Sequence, residues 1–212
     1  MPALPVDLRG VLDELDRWGI LLESDAKLPS VAGLVAGGPV KGSWWGHARS
    51  HAIWRVLTDL SDRQDVLVTK LVSGKVSFVD RKLWPAVFTV GRARDTWQLA
   101  DLSREAQSLL DMVSREGALE TDQIPWRRGA KRQSPGEAAR ELERRLLVYG
   151  EEFHTSTGAH AKRLETWEHW ARRVGFSERK PALKAAKKKL EEALLTLNKR
   201  HGAAGRLPWS HT

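Results

Sequence analysis

The sequence repeats one order of predicted elements twice, and this repeat restricts the fold more than any other feature. In each half, the sequence pattern predicts a helix, a short helix, a basic turn, a third helix and a hairpin with glycine at its tip. The tips are Ser73-Gly74 and Thr157-Gly158. Residues 19–25 also resemble residues 117–122, and both segments are expected to close the first helix of their half. This order of elements predicts two tandem winged helices.

We therefore expect an α+β, mostly helical protein made of tandem winged helix-turn-helix units and a C-terminal helix. Residues 1–97 would form the first unit, residues 98–176 the second, and residues 177–212 the C-terminal helix and tail. Asp7 is a candidate N-cap for the first helix, and Ser134 to Glu137 has the residue types of a capping box. Chance similarity between the halves is the alternative to a true repeat.

An excess of positive charge favours a polyanionic partner. The 212 residues include 35 Lys+Arg against 27 Asp+Glu, a formal net charge of +8, and no Cys. The absence of Cys excludes disulfides and thiolate chemistry, and there is no apolar run of the roughly 18 residues that a membrane span needs. We expect a cytoplasmic, nucleoid-associated protein that binds DNA and no membrane. The sequence does not determine its oligomeric state.

Several basic residues occupy positions suited to double-stranded DNA. In a winged helix the third helix enters the major groove and the wing contacts the backbone. The candidates in or beside these elements are Arg49, Arg81, Lys82, Arg140, Arg144 and Lys162. Residues 127–132 add four positive charges and no negative one, from Arg127, Arg128, Lys131 and Arg132. The alternative interpretation is that such charges only form solvated faces.

The most unusual segment is Lys41-Gly42-Ser43-Trp44-Trp45-Gly46-His47. Its glycines allow close approach of a ligand to the backbone, and Ser43 lies where a helix N-terminus could bind phosphate. Trp44 or Trp45 could stack on a base, with His47 beside them. The alternative is that Ser43 is an N-cap and the Trp pair packs between the units. His47 and His51 have a metal-ligand spacing but lack a third ligand, so we expect no metal and no cofactor.

An amine is the plausible catalytic group. A lyase acting on an abasic site needs an amine, because the open sugar is an aldehyde that forms a Schiff base before β-elimination. Lysine suits this role where burial or nearby cations lower its pKa. The candidates are Lys41, Lys70 and Lys75, together with the N-terminal amine of Pro2 if Met1 is removed.

Two resemblances bear on function. The tandem layout, with Thr157 to His160 leading to Arg163 to Trp167, is similar to the winged-helix alkylpurine and crosslink DNA glycosylases of bacteria. Those enzymes carry a Gln-x-Gln or Gln-x-Asp motif, whereas Gln98 to Asp101 has a different spacing here. Residues 41–47, with residues 71–76 and 82–85, resemble a small bacterial DNA-repair family, which implies lyase activity on abasic or oxidised DNA.

The function we expect is therefore that of a DNA-repair lyase acting on damaged duplex DNA through a Schiff base. Two other classes remain open. A winged-helix regulator without enzymatic activity would bind one duplex sequence tightly and show no preference for lesions. A structural interaction module would use the C-terminal helix as an oligomer seam and bind DNA weakly.

Overall fold

The computed structural model describes residues 5–125, 133–155, 158–177 and 180–211. It is an α+β protein in which helix predominates. We use "first half" for residues 5–80 and "second half" for residues 104–165. The elements of the first half are α1 (Leu8–Trp18), β1 (Ile20–Leu22), α2 (Val31–Ala36), a 3-10 turn (Trp44–Gly46), α3 (Ser50–Ser61), β2 (Val66–Val72) and β3 (Lys75–Asp80).

Three further groups of elements complete the described chain. The connection between the halves consists of a 3-10 turn (Arg81–Leu83), α4 (Trp84–Gly91) and α5 (Thr96–Leu99). The second half contains α6 (Arg104–Glu116), β4 (Ala118–Glu120), α7 (Pro135–Arg144), β5 (Tyr149–His154) and β6 (His160–Glu165). The C-terminal region contains α8 (Trp167–Arg173), α9 (Leu183–His201) and a 3-10 turn (Pro208–His211).

Each half contains a three-stranded antiparallel sheet with the same strand order. The first sheet has the order β1-β3-β2 and the second has the order β4-β6-β5, so the last strand of each half lies in the centre. Both hairpins form as predicted, between β2 and β3 and between β5 and β6.

The prediction that residues 19–25 and 117–122 close a helix is confirmed by their first residues, although the strands that follow were not predicted. Gly19 and Gly117 end α1 and α6 with φ angles of 77° and 81°, which redirect the chain. The residues that follow form β1 and β4, which pair with the central strands β3 and β6. Strands of three residues have little periodicity of their own, and their pairing depends on the central strand.

Local capping signals placed two helix starts correctly. The Asp7 carboxylate accepts a hydrogen bond from Gly10 N at 3.0 Å, at the start of α1. At the start of α7, Ser134 Oγ accepts from Glu137 N while the Glu137 carboxylate accepts from Ser134 N at 2.7 Å. These side chains satisfy backbone N–H groups that the first turn of a helix leaves without partners.

A tryptophan-rich core joins the two halves. Trp84 of α4 lies edge-on to Trp170 of α8 with ring centroids 5.1 Å apart, and Trp167 lies 5.6 Å from Trp170. A Cβ added to Gly91 would come within 2.3 Å of the Trp167 ring, so only glycine allows α4 and α8 this close. The buried stripe of α9 packs on the same core and consists of Ala186, Leu190, Leu194 and Leu197.

None of the helices in the described part of the chain combines the length and the apolar character that a membrane crossing needs.

Candidate functional site

A cluster of four charged side chains lies where the first hairpin meets the second half. Lys70 comes from β2, Glu143 from α7, Glu152 from β5 and Lys162 from β6. We call these four residues the Lys–Glu cluster. β2 and α7 pack against each other, so the cluster forms only when the halves come together.

Glu143 is the centre of the cluster. Its carboxylate accepts hydrogen bonds from Lys162 Nζ at 3.0 and 2.8 Å, and Lys70 Nζ lies 3.3 Å from Oε2. Glu152 Oε1 lies 2.9 Å from Lys162 Nζ. The side chains of Glu143, Lys162 and Lys70 are 7%, 9% and 14% exposed, so these are buried charges that must be paired.

The pKa values of the two lysines shift in opposite directions. Burial lowers the pKa of Lys70 below the ordinary value of 10.5, because its single contact with Glu143 does not offset the loss of water and the nearby Lys162 charge. Burial also acts to lower the pKa of Lys162, but the contacts with Glu143 and Glu152 outweigh it and raise that pKa. Lys70 is therefore the lysine that more readily supplies a neutral amine.

Gly150 on β5 makes room for the central carboxylate. A Cβ at this position would lie 2.5 Å from Glu143 Oε1, well inside contact distance. The strand backbone thus approaches the carboxylate more closely than any side-chain-bearing residue would allow. Because Gly150 lies opposite Leu164 in the sheet, the register of β5 and β6 fixes this arrangement.

A cavity opens beside the cluster. It has a volume of about 410 Å³, and Glu152 and Lys162 form part of its wall. The rest of its lining mixes charged, polar and apolar residues, namely Thr121, Asp122, Pro135, Gly136, Arg140, His160 and Ala161. This volume lies within the range of roughly 300–1,000 Å³ that small-molecule sites have, so a sugar would fit.

The segment around the Trp pair has two different rings. Trp44 is buried, and its indole Nε1 donates to Glu23 Oε1 at 2.8 Å. Trp45 is 65% exposed and stacks on Trp44, with centroids 4.1 Å apart and planes inclined by 23°. Ser43 Oγ accepts from Trp45 N at the start of the 3-10 turn. Ser43 is therefore the N-cap of this turn, but the Trp pair does not pack between the halves: Trp44 belongs to the core of the first half and Trp45 lies at its surface.

The neighbours of the Trp pair include two further predicted DNA contacts. His47 is half-buried, and its Nδ1 accepts from Arg49 N at 3.1 Å. Arg49 is exposed and precedes α3 without a cap from any described side chain. Lys41, a candidate nucleophile, is exposed at the start of this segment.

Four other predicted DNA contacts lie outside the Trp segment. Arg81 lies over the Trp84 ring at 5.5 Å, and Lys82 Nζ lies 3.4 Å from Asp16 and 3.7 Å from Asp80. On α7, Arg140 donates to Gly136 O, and Arg144 lines a cleft together with the first hairpin tip. Arg140 thus lies beside the Lys–Glu cluster, where it lines the same cavity as Glu152 and Lys162, whereas Arg144 lies at the first hairpin tip.

The remaining predictions fall in different places. Lys75 Nζ pairs with Asp25 Oδ2 at 2.7 Å and is 49% exposed, in a site separate from the cluster. Lys162, predicted to contact DNA, has its ammonium group engaged by Glu143 and Glu152. Five predicted residues lie outside the described residues, namely Pro2, Arg127, Arg128, Lys131 and Arg132.

The sequence did not point to Glu143 or Glu152. The available signal was Glu143 itself, one turn after buried Ala139 and next to buried Leu142 on the apolar side of α7. A carboxylate in such a position requires a cationic partner, but the periodicity of the chain does not say which one.

Gln98 has contacts that explain its burial. It is fully buried, its Oε1 accepts from Asp95 N at 2.9 Å, and its Nε2 donates to Arg145 O at 3.0 Å. These bonds close the capping box of α5 and connect it to the end of α7. Within the described residues, no group of three or more His, Asp or Glu side chains could hold a metal ion.

Comparison with known proteins gives one match. The model of a family described as AlkZ related matches residues 8–204. No curated protein and no solved structure matches the chain. The family match supports the expected relation to bacterial DNA-repair proteins, whereas the resemblance carried by residues 41–47 stays a prediction.

Proposed function

The chain belongs to the AlkZ-related family, a family associated with DNA repair, and from this premise we propose that it is a lyase that cleaves damaged duplex DNA at abasic or oxidised-base sites. The observation that carries the proposal is the contact of Lys70 with Glu143. It pairs an amine whose pKa burial lowers with a carboxylate at 3.3 Å, in a cluster whose other members, Glu152 and Lys162, line a cavity of about 410 Å³. Both groups that a Schiff-base lyase needs are therefore adjacent.

The reaction follows from these two groups. The neutral Nζ of Lys70 adds to the C1′ aldehyde of an open abasic sugar, and the carbonyl oxygen leaves as water to give an imine. The imine acidifies C2′, the Glu143 carboxylate takes the C2′ proton, and the electron pair expels the 3′ phosphate by breaking the C3′–O bond. Water then hydrolyses the imine, which frees the lysine and leaves an unsaturated aldehyde on one strand end.

Lys162 has a positioning role in this proposal. Its two hydrogen bonds hold the Glu143 carboxylate in place, and its positive charge lowers the pKa of Lys70. Because its own pKa is raised, Lys162 remains protonated at neutral pH and is the weaker nucleophile.

DNA binding in this proposal uses two tandem winged-helix units, residues 1–97 and 98–176, followed by the C-terminal region 177–212. The matching strand orders of the two sheets support this assignment. Arg140 on α7 lines the cavity and Arg144 lines a separate cleft at the first hairpin tip, and both would contact backbone phosphates near the lesion.

Borohydride trapping on duplex DNA with one abasic site tests the proposal. Borohydride reduces the imine to a stable amine, so the wild type should become attached to the DNA. Lys70→Ala and Lys70→Arg should both lose the adduct, because neither side chain can form the imine. Lys70→Arg retains the cation and should still bind the DNA, which separates chemistry from binding.

Lys75→Ala is the matched control, since Lys75 lies on the same hairpin but pairs with Asp25 outside the cluster. It should form the adduct at the wild-type rate. For the wild type, the trapping rate should rise with pH and level off below 10.5, because the pKa of Lys70 is lowered. A wild type that binds the duplex but forms no adduct would instead support the regulator hypothesis.

A further inference from the structure

An aromatic ring at the surface of the first half has no role in the cluster chemistry. Trp45 is 65% exposed, which is the largest exposure among the large apolar side chains of the described residues. One face of its indole ring is covered by Trp44 at 4.1 Å, and the other face is open. Isolated exposed residues are common, but a flat ring covered on only one side is suited to stacking with another ring.

The ring is held in place from below. Trp44 is buried, and its indole N–H donates to the Glu23 carboxylate at 2.8 Å. Glu23 is itself fixed by its backbone, because its N–H donates to Val76 O and its carbonyl accepts from Ala32 N. The first sheet and α2 thus position the Trp pair, so little conformational freedom is lost when a ligand stacks on Trp45.

The charge around the ring indicates which ligand would stack there. From Lys41 to Thr58 the sequence contains Lys41, Arg49 and Arg55 and no acidic residue. Lys41 and Arg49 flank the 3-10 turn on either side and are exposed. A polyanion with aromatic rings matches an open aromatic face between cations better than an apolar protein surface does.

From these observations we propose that the open face of Trp45 is a stacking site for an unpaired nucleobase in duplex DNA, with Lys41 and Arg49 at the adjacent phosphates. The inference rests on the proposed function only in taking DNA as the partner. An abasic site leaves the opposite base without a pairing partner, so such a site would select the lesion by the base that remains. Stacking is tolerant of base identity, so all four bases would be accepted.

A duplex with 2-aminopurine opposite a tetrahydrofuran residue tests this site. Tetrahydrofuran mimics the abasic sugar but has no aldehyde, so binding is measured without any imine. The wild type should prefer this duplex over a fully paired duplex by about tenfold, which is within the range measured for base–aromatic stacking. It should also quench the 2-aminopurine emission, because stacking on an indole ring quenches that base.

Trp45→Ala should lose both the preference and the quenching while binding the paired duplex within about twofold of the wild type. Trp45→Phe should keep part of both, because it retains a smaller ring. Leu195→Ala is the matched control, since Leu195 is also exposed (52%) but lies within α9, and it should behave as the wild type does. Unfolding midpoints of the variants would confirm that each one is folded.

The outcomes separate this inference from the lyase proposal. If the wild type binds both duplexes equally, or if Trp45→Ala keeps the preference, the stacking site is wrong whatever the trapping experiment gives. If trapping fails but the preference depends on Trp45, the stacking site stands without the lyase chemistry. If the wild type binds neither duplex, DNA is not the partner and both proposals fail.

Discussion

The helices that precede the hairpins of the two halves, α3 and α7, begin in opposite ways. In the second half, the Ser134 hydroxyl and the Glu137 carboxylate close the N-terminus of α7 with a capping box. In the first half, α3 begins after Arg49 without a cap from any described side chain, and the exposed Trp45 ring lies just before it. The two halves therefore share one strand order but differ at these helix starts. The N-terminus of α7 has a side-chain cap and a carboxylate, whereas that of α3 has no cap from a described side chain and lies next to the cation of Arg49.

The two halves also differ in how deeply their charged side chains are buried. The second half holds Glu143 and Lys162 at 7% and 9% exposure, whereas the ion pair of the first hairpin, Lys75 with Asp25, is at the surface. In the proposed function, the base Glu143 and the positioning residue Lys162 come from the second half, whereas the nucleophile Lys70 and the exposed Trp45 come from the first half. The following predictions test this division of roles.

The largest expected difference is between two lysine substitutions. Lys162→Ala should lower the free energy of unfolding by about 3 kcal/mol, because it leaves buried Glu143 with only Lys70 as a partner. Lys75→Ala should lower it by less than about 1 kcal/mol, because exposed ion pairs are screened by water. Urea unfolding of both variants provides the measurement, and equal losses would show that the cluster is not a buried site.

A smaller difference is expected for two glycines. Gly150→Ala should destabilise the protein by about 1–3 kcal/mol, because the added Cβ would displace the Glu143 carboxylate. Gly46→Ala should have little effect on stability, because no described atom lies within 4 Å of its Cβ position. Thermal unfolding measures the stability of both variants. A Gly150→Ala variant as stable as the wild type would contradict the close packing of β5 on the cluster.

The two helix starts should respond differently to alanine. Ser134→Ala removes the hydroxyl of the capping box and should cost about 1 kcal/mol of stability. Arg49→Ala removes no cap and should change stability by less than about 0.5 kcal/mol, although it should weaken DNA binding. Similar losses of stability in both variants would mean that the Arg49 side chain stabilises the fold by packing.

The smallest expected effect is on the stability of the protein at low pH. Burial acts to raise the pKa of Asp25, but the hydrogen bond from Lys75 and backbone N–H groups outweigh it, so the pKa lies below 3.8. A carboxyl group with a lowered folded-state pKa adds stability above 3.8 and loses it as the pH falls through the folded-state pKa. The difference between wild type and Lys75→Ala in urea should therefore disappear at the lowest pH. A difference that persists there would mean that Lys75 stabilises the fold by packing.

Features set by neighbouring residues could be predicted from the sequence. Asp7 and Ser134 bond to backbone groups three residues away, so their residue types were sufficient to place the starts of α1 and α7. The hairpins formed by β2–β3 and β5–β6 were equally accessible, because their glycine-tipped turns and alternating strands are local signals.

Features that depend on distant residues could not be predicted from the sequence. β1 and β4 are strands because β3 and β6 accept them as partners, and nothing within three residues encodes that pairing. The cluster brings Lys70 to Glu143 only after the two halves pack, so the sequence could name the lysine as a candidate but not its carboxylate. For the same reason the burial that lowers the pKa of Lys70 required the structure.

The most direct measurement locates the trapped bond itself. After borohydride reduction on abasic DNA, the adduct is digested with nuclease and protease, and the modified peptide is sequenced by mass spectrometry. The account predicts that the reduced sugar fragment is attached to Nζ of Lys70, in the peptide that contains β2. Attachment to Lys41, Lys75, Lys162 or the N-terminal amine, with Lys70 unmodified, would contradict it.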